Sequence, residues 1–177
     1  ARQVDGLIWS IPGVGNTPHG LARKLADTGL PVVFINRDAT GDNVVSLNNW
    51  RGGQLATEHL LAQGYRRIGL VAGPDGWWEA RQRQSGWQQT LAGAGYRDME
   101  LLKVTGDWTP SSGEQGLYRL LEQAPDLDAV FVSNDEMAIG VLVFANAIYG
   151  ATPRVHNFLP QGYSGYWWIP YTWLDNA

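Results

Sequence analysis

The chain has 177 residues, of which 44% are hydrophobic and 17% charged. These values are close to those of folded globular proteins, which argues against a disordered chain. The absence of cysteine excludes disulfides and thiolate metal sites. A net charge of −4 argues against a nucleic-acid-binding surface in these residues, because duplex binding needs clustered Lys and Arg.

Short aliphatic runs alternate with amphipathic stretches bounded by Gly and Pro, an order typical of βαβ units. Such units have right-handed connections and build a mostly parallel sheet, so we predict an α/β fold with doubly wound parallel sheets. In chain order the predicted elements are a strand at 6–10, a helix that Thr17 caps and Gly29 ends, strands at 31–35 and 44–47, a helix at 51–63, a strand at 68–72, a helix at 78–92, a strand at 101–105, a helix at 112–123, a strand at 129–133 and a helix at 135–147. Residues 151–177 follow no regular pattern.

Polar side chains follow each predicted strand, where open parallel sheets bind their ligands. They supply guanidinium, carboxylate and amide groups that pair with the hydroxyls of a sugar, and an indole that packs on its C–H face. We therefore predict a small polar ligand, namely a sugar. These residues are Asn36, Arg37 and Asp38, then Asp75, Glu79, Arg81 and Arg83, then Asp107 and Trp108, and finally Asn134 and Asp135.

Simpler explanations exist for several of these residues. Arg83 can form an ion pair with Glu79 at i,i+4 on a solvated helix face. Asn134 can serve only as a helix cap, and Trp108 can belong only to the core. His59 lies on the apolar face of its predicted helix, so we expect a packed core residue there rather than a metal ligand.

Motifs for catalysis, metals and cofactors are missing from the sequence. Gly13 and Gly15 are not followed by the Gly-Lys-Ser/Thr of a phosphate loop, no Gly-x-Ser-x-Gly elbow occurs, and the three histidines lack metal-ligand spacing. We expect no cofactor, no metal and no enzymatic activity, although Asp107 leaves glycoside chemistry open. No apolar run approaches the roughly 20 residues of a membrane helix, and residues 1–6 do not resemble an export signal, so we expect a cytoplasmic chain without membrane contact.

A set of motifs resembles the lactose/galactose-repressor (LacI/GalR) family of transcription regulators. Each motif alone is common, but their order and spacing together are specific, and the resemblance covers residues 4–142. The motifs are VSLNNWRG at 45–52, LATEHL at 55–60, GYRRIG at 64–69, AGP at 72–74, ARQR at 80–83, GW at 86–87, GDW at 106–108 and VSNDEMA at 132–138.

The resemblance implies a two-lobed, periplasmic-binding-protein-like fold with the effector between the lobes. It implies an incomplete amino-terminal lobe at 1–46, a carboxy-terminal lobe at 47–165 and a return segment at 166–177. It also implies a homodimer and operator DNA read by an amino-terminal helix-turn-helix that this sequence lacks. By position, the effector contacts are Asn36, Glu79, Arg83, Trp108 and Asn134, with Asp135 beside them.

Glu79 stands where relatives often have a small hydroxyl residue, which leaves a charged or amino-bearing ligand open. The family's acidic motif near the carboxyl end appears here only as GYSG at 162–165, so the acidic contact there is not assigned.

The predicted function is therefore an effector-sensing domain, with a sugar as effector, of a bacterial DNA-binding regulator in which ligand binding switches operator affinity. The alternative is an exported sugar-binding protein of a transporter. A glycoside-active enzyme is a third reading.

Overall fold

The structure is a computed structural model that describes residues 4–10, 27, 29–35, 43–97 and 99–149, together with the strands at 155–156 and 173–174. The chain divides into two compact units. The first comprises Ala1–His59 and Ala72–Arg97, and the second comprises Leu60–Val71 and Asp98–Ala177. Each unit contains parallel strands, as the alternating sequence pattern predicts.

The first unit contains a parallel sheet in the order β1–β2–β3. Its strands are β1 (Leu7–Ser10), β2 (Val32–Ile35) and β3 (Val44–Val45). Leu7 is in register with Val32, and Phe34 with Val44. The third strand ends two residues before the predicted boundary, because the carbonyl of Leu47 accepts a hydrogen bond from the Asn49 backbone as the chain turns into the next helix.

Helix α1 (Asn49–Ala62) buries small and polar residues rather than its aliphatic ones. Gly53 and Thr57 are buried, and the Thr57 hydroxyl donates to the Gly53 carbonyl at 2.8 Å. The prediction that His59 is a packed core residue is wrong, because His59 is exposed and Leu55 is 50% exposed. At 3.6 residues per turn both lie on the side of the helix away from Gly53.

The backbones of α1 and α2 (Trp78–Gly93) touch at two glycines. A Cβ on Gly53 would overlap the carbonyl oxygen of Arg83, and a Cβ on Gly86 would overlap that of Trp50 and lie 2.7 Å from the Gln54 nitrogen. The two glycines therefore set how closely α1 and α2 approach each other.

A second sheet has the order β5–β4–β6 and is formed by β4 (Ile68–Ala72), β5 (Lys103–Thr105) and β6 (Ala129–Val132). All of it except Ala72 belongs to the second unit. Strands β4 and β6 are parallel, with Ile68 in register with Ala129. The Asp128 carboxylate accepts hydrogen bonds from the backbone nitrogens of Arg66 and Arg67, both at 2.8 Å. These two bonds attach the start of β4 to the start of β6.

The predicted strand at 101–105 is wrong in its first two residues. A short 3₁₀ helix over Met99–Leu102 precedes β5. This turn leaves Leu102 only 3% exposed while Leu101 is 58% exposed. Two adjacent leucines do not alternate in polarity, so the sequence does not distinguish a strand from a turn here.

Helices α3 (Pro110–Gln123) and α4 (Asp135–Tyr149) also meet at two glycines. A Cβ on Gly113 would lie 2.7 Å from the Met137 carbonyl carbon, and one on Gly140 would lie 2.6 Å from the Pro110 carbonyl carbon. Beneath them lies a core of Val71, Val104, Leu120 and Met137. Helix α3 begins two residues before the predicted start, because Thr109 caps it and Pro110 fits its first turn.

The helix predicted from Thr17 to Gly29 falls almost entirely outside the described residues, so it stays a prediction. In the carboxy-terminal tail, β7 (Val155–His156) pairs antiparallel with β8 (Trp173–Leu174). In the part of the chain that the structure describes, no helix has the length and apolar character needed to cross a membrane.

Candidate functional site

Glu79 lies in the first turn of α2, which follows β4 and a turn closed by a hydrogen bond from the Trp77 backbone nitrogen to the Pro74 carbonyl. Its side chain is only 8% exposed. Among the described residues, its Oε2 atom has no hydrogen-bond partner. A carboxylate at this position is favoured by the positive end of the helix dipole, although the dipole supplies no hydrogen bond.

Arg83 lies one turn further along α2 and is held by α1. Its Nε donates to Oδ1 of Asn49 at 2.9 Å, and Asn49 is itself buried at the start of α1. The ion pair with Glu79, considered as the simpler explanation for Arg83, is absent from the described part of the chain. Asn49, which the sequence pattern does not single out, therefore helps to position the guanidinium.

Trp108 follows β5 in the second unit and adopts a left-handed backbone conformation with φ of +76°. Non-glycine residues rarely occupy this region. The Trp108 carbonyl accepts a hydrogen bond from Nδ2 of Asn134 at 3.2 Å, and the side chain packs partly against the core. The core explanation thus accounts for part of the indole surface.

Asp107 holds the turn on the other side of Trp108. Its Oδ1 accepts hydrogen bonds from the Thr109 hydroxyl at 2.6 Å and from the Thr109 backbone nitrogen at 3.0 Å. The Thr109 side-chain bond, then its backbone bond and a bond from Ser112, lower the pKa of Asp107 below its ordinary value. A lowered pKa suits a carboxylate that stabilises a loop and is unfavourable for a general acid.

Asn134 and Asp135 lie where β6 joins α4. The Oδ1 atom of Asn134 accepts from the Met137 backbone nitrogen at 3.1 Å, so Asn134 does cap the helix. Its Nδ2 atom also donates to Oε2 of Glu136 at 2.5 Å. Asp135 is exposed in the first turn of α4.

The predicted residues thus occur in two groups. In the first unit Glu79 and Arg83 share one side of α2, one turn apart. In the second unit the Asn134 amide connects the Trp108 turn to the first turn of α4, where Asp135 lies. Asn36 lies outside the described residues, as do Arg37 and Asp38. Among the residues that the structure describes, no group of three or more His, Asp or Glu could hold a metal ion.

The missed features have only faint signals in the sequence. Asn49 precedes a helical stretch and resembles an ordinary helix-start residue. Gly53 and Gly86 are single glycines within helical patterns, which indicates a close packing contact without identifying its partner.

Parallel α/β units with polar residues at the strand ends define a small-molecule-binding domain of the periplasmic-binding-protein class. The chain belongs to the family described as periplasmic binding proteins and sugar binding domain of LacI family, whose model matches residues 1–151. The predicted family and fold class are confirmed.

Among curated proteins, the chain is 35% identical to the HTH-type transcriptional regulator CelR of Thermobifida fusca over 146 residues, covering 80% of this chain and 42% of that protein. It is 32% identical to the lactose operon repressor of Escherichia coli over 143 residues, covering 80% and 39%. The solved complex of CelR with cellobiose superposes with a TM-score of 0.70 and 32% identity, covering 82% of this chain and 45% of that one. The chain thus spans less than half the length of these relatives.

Proposed function

We propose that this chain is the sugar-sensing part of a bacterial transcription regulator, whose bound effector changes the affinity of the full protein for operator DNA. The observation that carries this proposal is the Arg83 guanidinium, held by the buried Asn49 at 2.9 Å, one turn from the buried Glu79. A guanidinium held in this way has less side-chain freedom to lose when it binds a ligand. The relatives named as CelR, in complex with cellobiose, and as the lactose operon repressor support a sugar as the effector.

In this proposal each side chain has a distinct role. Arg83 donates to neighbouring hydroxyls of the sugar, Glu79 accepts from a hydroxyl, and the Trp108 indole packs on a C–H face. Asn134 and Asp135 supply further polar contacts at the end of β6, and Asn36 contributes a further amide.

The effector would contact two lobes, at 1–46 and 47–165, with 166–177 as the return segment. Binding then shifts the equilibrium between two arrangements of the protein.

The partners of the full protein belong to the same proposal. They are operator DNA, bound by a helix-turn-helix outside this sequence, and a second copy of the chain in a cytoplasmic homodimer without membrane contact. The relatives, which are named as an HTH-type regulator and an operon repressor, favour this interpretation over an exported transport protein. The Asp107 carboxylate accepts two hydrogen bonds from Thr109 within its own loop, which argues against a role in glycoside chemistry. In this proposal the protein binds its effector without a cofactor.

A thermal-shift titration of the full-length regulator with mono- and disaccharides tests the proposal. Ligand at 100 times its Kd stabilises the native state by about 2.7 kcal/mol, which raises Tm by roughly 5–10 °C for a cooperative unit of about 150–250 residues and by less for a larger one. Arg83→Ala is expected to remove the shift, whereas Arg119→Ala, which changes an exposed arginine on α3, is expected to preserve it. A normal shift in Arg83→Ala would refute the site, and hydrolysis of a bound glycoside would refute the binding-only role.

A further inference from the structure

We propose that Glu79 makes this site selective for effectors that present a hydroxyl or ammonium donor, and that it excludes acidic sugars such as uronates and sugar phosphates. This inference rests on the proposed sugar-sensing function of the α2 site. It concerns the charge class of the ligand, which the family assignment leaves open.

Glu79 carries a buried carboxylate oxygen without a partner among the described residues. The side chain of Glu79 is 8% exposed, and its Oε2 atom has no hydrogen-bond partner in the described part of the chain. A carboxylate only accepts hydrogen bonds, and leaving one of its oxygens unsatisfied in the interior costs folding free energy. A ligand that brings a donor to this oxygen recovers that cost on binding.

The neighbouring charges do not satisfy this oxygen. Arg83, one turn away on the same helix, directs its Nε to Asn49 at 2.9 Å. Arg81 donates instead to the backbone carbonyl of Asp75 at 2.9 Å. The helix dipole favours a negative charge in the first turn of α2 but donates no hydrogen bond to Oε2. The acceptor capacity of Glu79 therefore remains for a ligand.

The same carboxylate disfavours anionic ligands. Two negative charges about 4 Å apart, at an effective dielectric constant of about 20, repel each other strongly enough to lower affinity on the order of a thousandfold. A hydroxyl gains a charge-assisted hydrogen bond, and an ammonium gains an ion pair as well. A sugar that places a negative group at Glu79 is therefore disfavoured, whatever contact it makes with Arg83.

Calorimetric titration of the full-length regulator at constant ionic strength tests this inference with probes of matched shape. The probes are glucose and cellobiose as neutral sugars, glucosamine as an amino sugar, and glucuronate, cellobiouronate and glucose 6-phosphate as acidic sugars. We expect saturable binding from the neutral or amino sugars only. Glu79→Gln should weaken a neutral ligand about tenfold and an amino sugar by more than about a hundredfold, which distinguishes hydroxyl from ammonium recognition.

Two further variants control the experiment. Glu122→Gln makes the same chemical change at an exposed position on α3 and should leave every affinity unchanged. Glu79→Ser removes the negative charge, as Glu79→Gln does, and also shortens the side chain, so it should likewise admit acidic sugars that the unmodified protein rejects. This second substitution keeps the inference testable even when Glu79→Gln folds poorly.

The outcomes separate the two levels of the proposal. An acidic sugar that binds as tightly as its neutral counterpart overturns the role of Glu79 while leaving the sugar-sensing function intact. Unchanged affinities in both Glu79 variants overturn it as well. The absence of binding by every probe, together with no thermal shift from the wider set of mono- and disaccharides, contradicts the proposed function itself, and the inference fails with it.

Discussion

Replacing Gly53 by alanine should destabilise the protein and displace the candidate ligand-binding arginine. A Cβ at this position would overlap the carbonyl oxygen of Arg83 and lie 3.0 Å from its carbonyl carbon. The obstacle is helix backbone, so α1 and α2 have to move apart. Overpacking of this kind costs roughly 1–3 kcal/mol.

The adjacent glycine provides a matched control. Gly52 lies on the same helix, is exposed, and has open space within 4 Å of the point where an alanine methyl group would lie. Gly52→Ala should therefore show only the higher helix propensity of alanine and stabilise the protein by about 0.5–1 kcal/mol. Since Gly53→Ala receives the same propensity gain, the difference between the two variants isolates the steric cost, about 1–3 kcal/mol.

Urea unfolding of both variants, followed by circular dichroism, gives the free energies of unfolding directly. Because the clash falls on the backbone of Arg83, effector affinity should also drop in Gly53→Ala and remain normal in Gly52→Ala. Equal stabilisation by the two alanines would show that the helices are not in contact at Gly53, and the explanation for the position of Arg83 would then be wrong.

Two further predictions concern the second unit. Asp128→Ala should lower the free energy of unfolding by about 1.5–3 kcal/mol, since it removes the acceptor of two backbone N–H groups. Asp126→Ala breaks only the ion pair with Arg67 at the surface and should lower the free energy of unfolding by about 0–1 kcal/mol. Equal effects of the two variants in urea unfolding would contradict this ranking. The pKa of Asp107 is lower in the folded state than its ordinary value of 3.8, so its stabilising bonds with Thr109 are fully present above that pH and are lost as the pH falls through the folded value. The stability difference between the native protein and Asp107→Asn should accordingly be smaller once the pH has fallen below 3.8 than it is at neutral pH, and a constant difference would refute the linkage.

The alternating strands and helices can be predicted from the sequence because each signal lies within a few neighbouring residues. Buried parallel strands are short aliphatic runs, and Gly and Pro mark the turns at their ends. Strand β4 matches its predicted bounds, and β1 and β2 each begin one residue later than predicted. The face that a helix buries depends on the neighbour against which it packs and not on its own sequence alone, which explains the error at His59. Helix α1 turns Gly53 rather than Leu55 towards its neighbour, because only a glycine permits the approach of α2.

The candidate site likewise contains some features that the sequence predicts and others that it does not. Arg83 and Glu79 can be selected from their place after a strand, since that rule depends on topology alone. The hydrogen bond from Arg83 to Asn49 joins residues 34 positions apart, and no pattern in a single sequence reveals it. The left-handed conformation of Trp108 is equally hidden, because tryptophan is not a residue that sequence reasoning assigns to positive φ.

The hydrogen bond from Asn134 to the Trp108 carbonyl joins the loop after β5 to the loop after β6. This one hydrogen bond therefore restrains both Asn134 and Trp108. Neither loop can change its conformation unless the bond breaks or the other loop moves with it. Substitution of Asn134 by a residue without an amide removes one restraint on a tryptophan whose left-handed backbone conformation is rare for a non-glycine residue. Loss of effector response in such a variant can therefore come from the missing Asn134 amide or from a displaced Trp108. A comparison with Trp108→Gly, which relieves the backbone and removes the indole, separates these two causes.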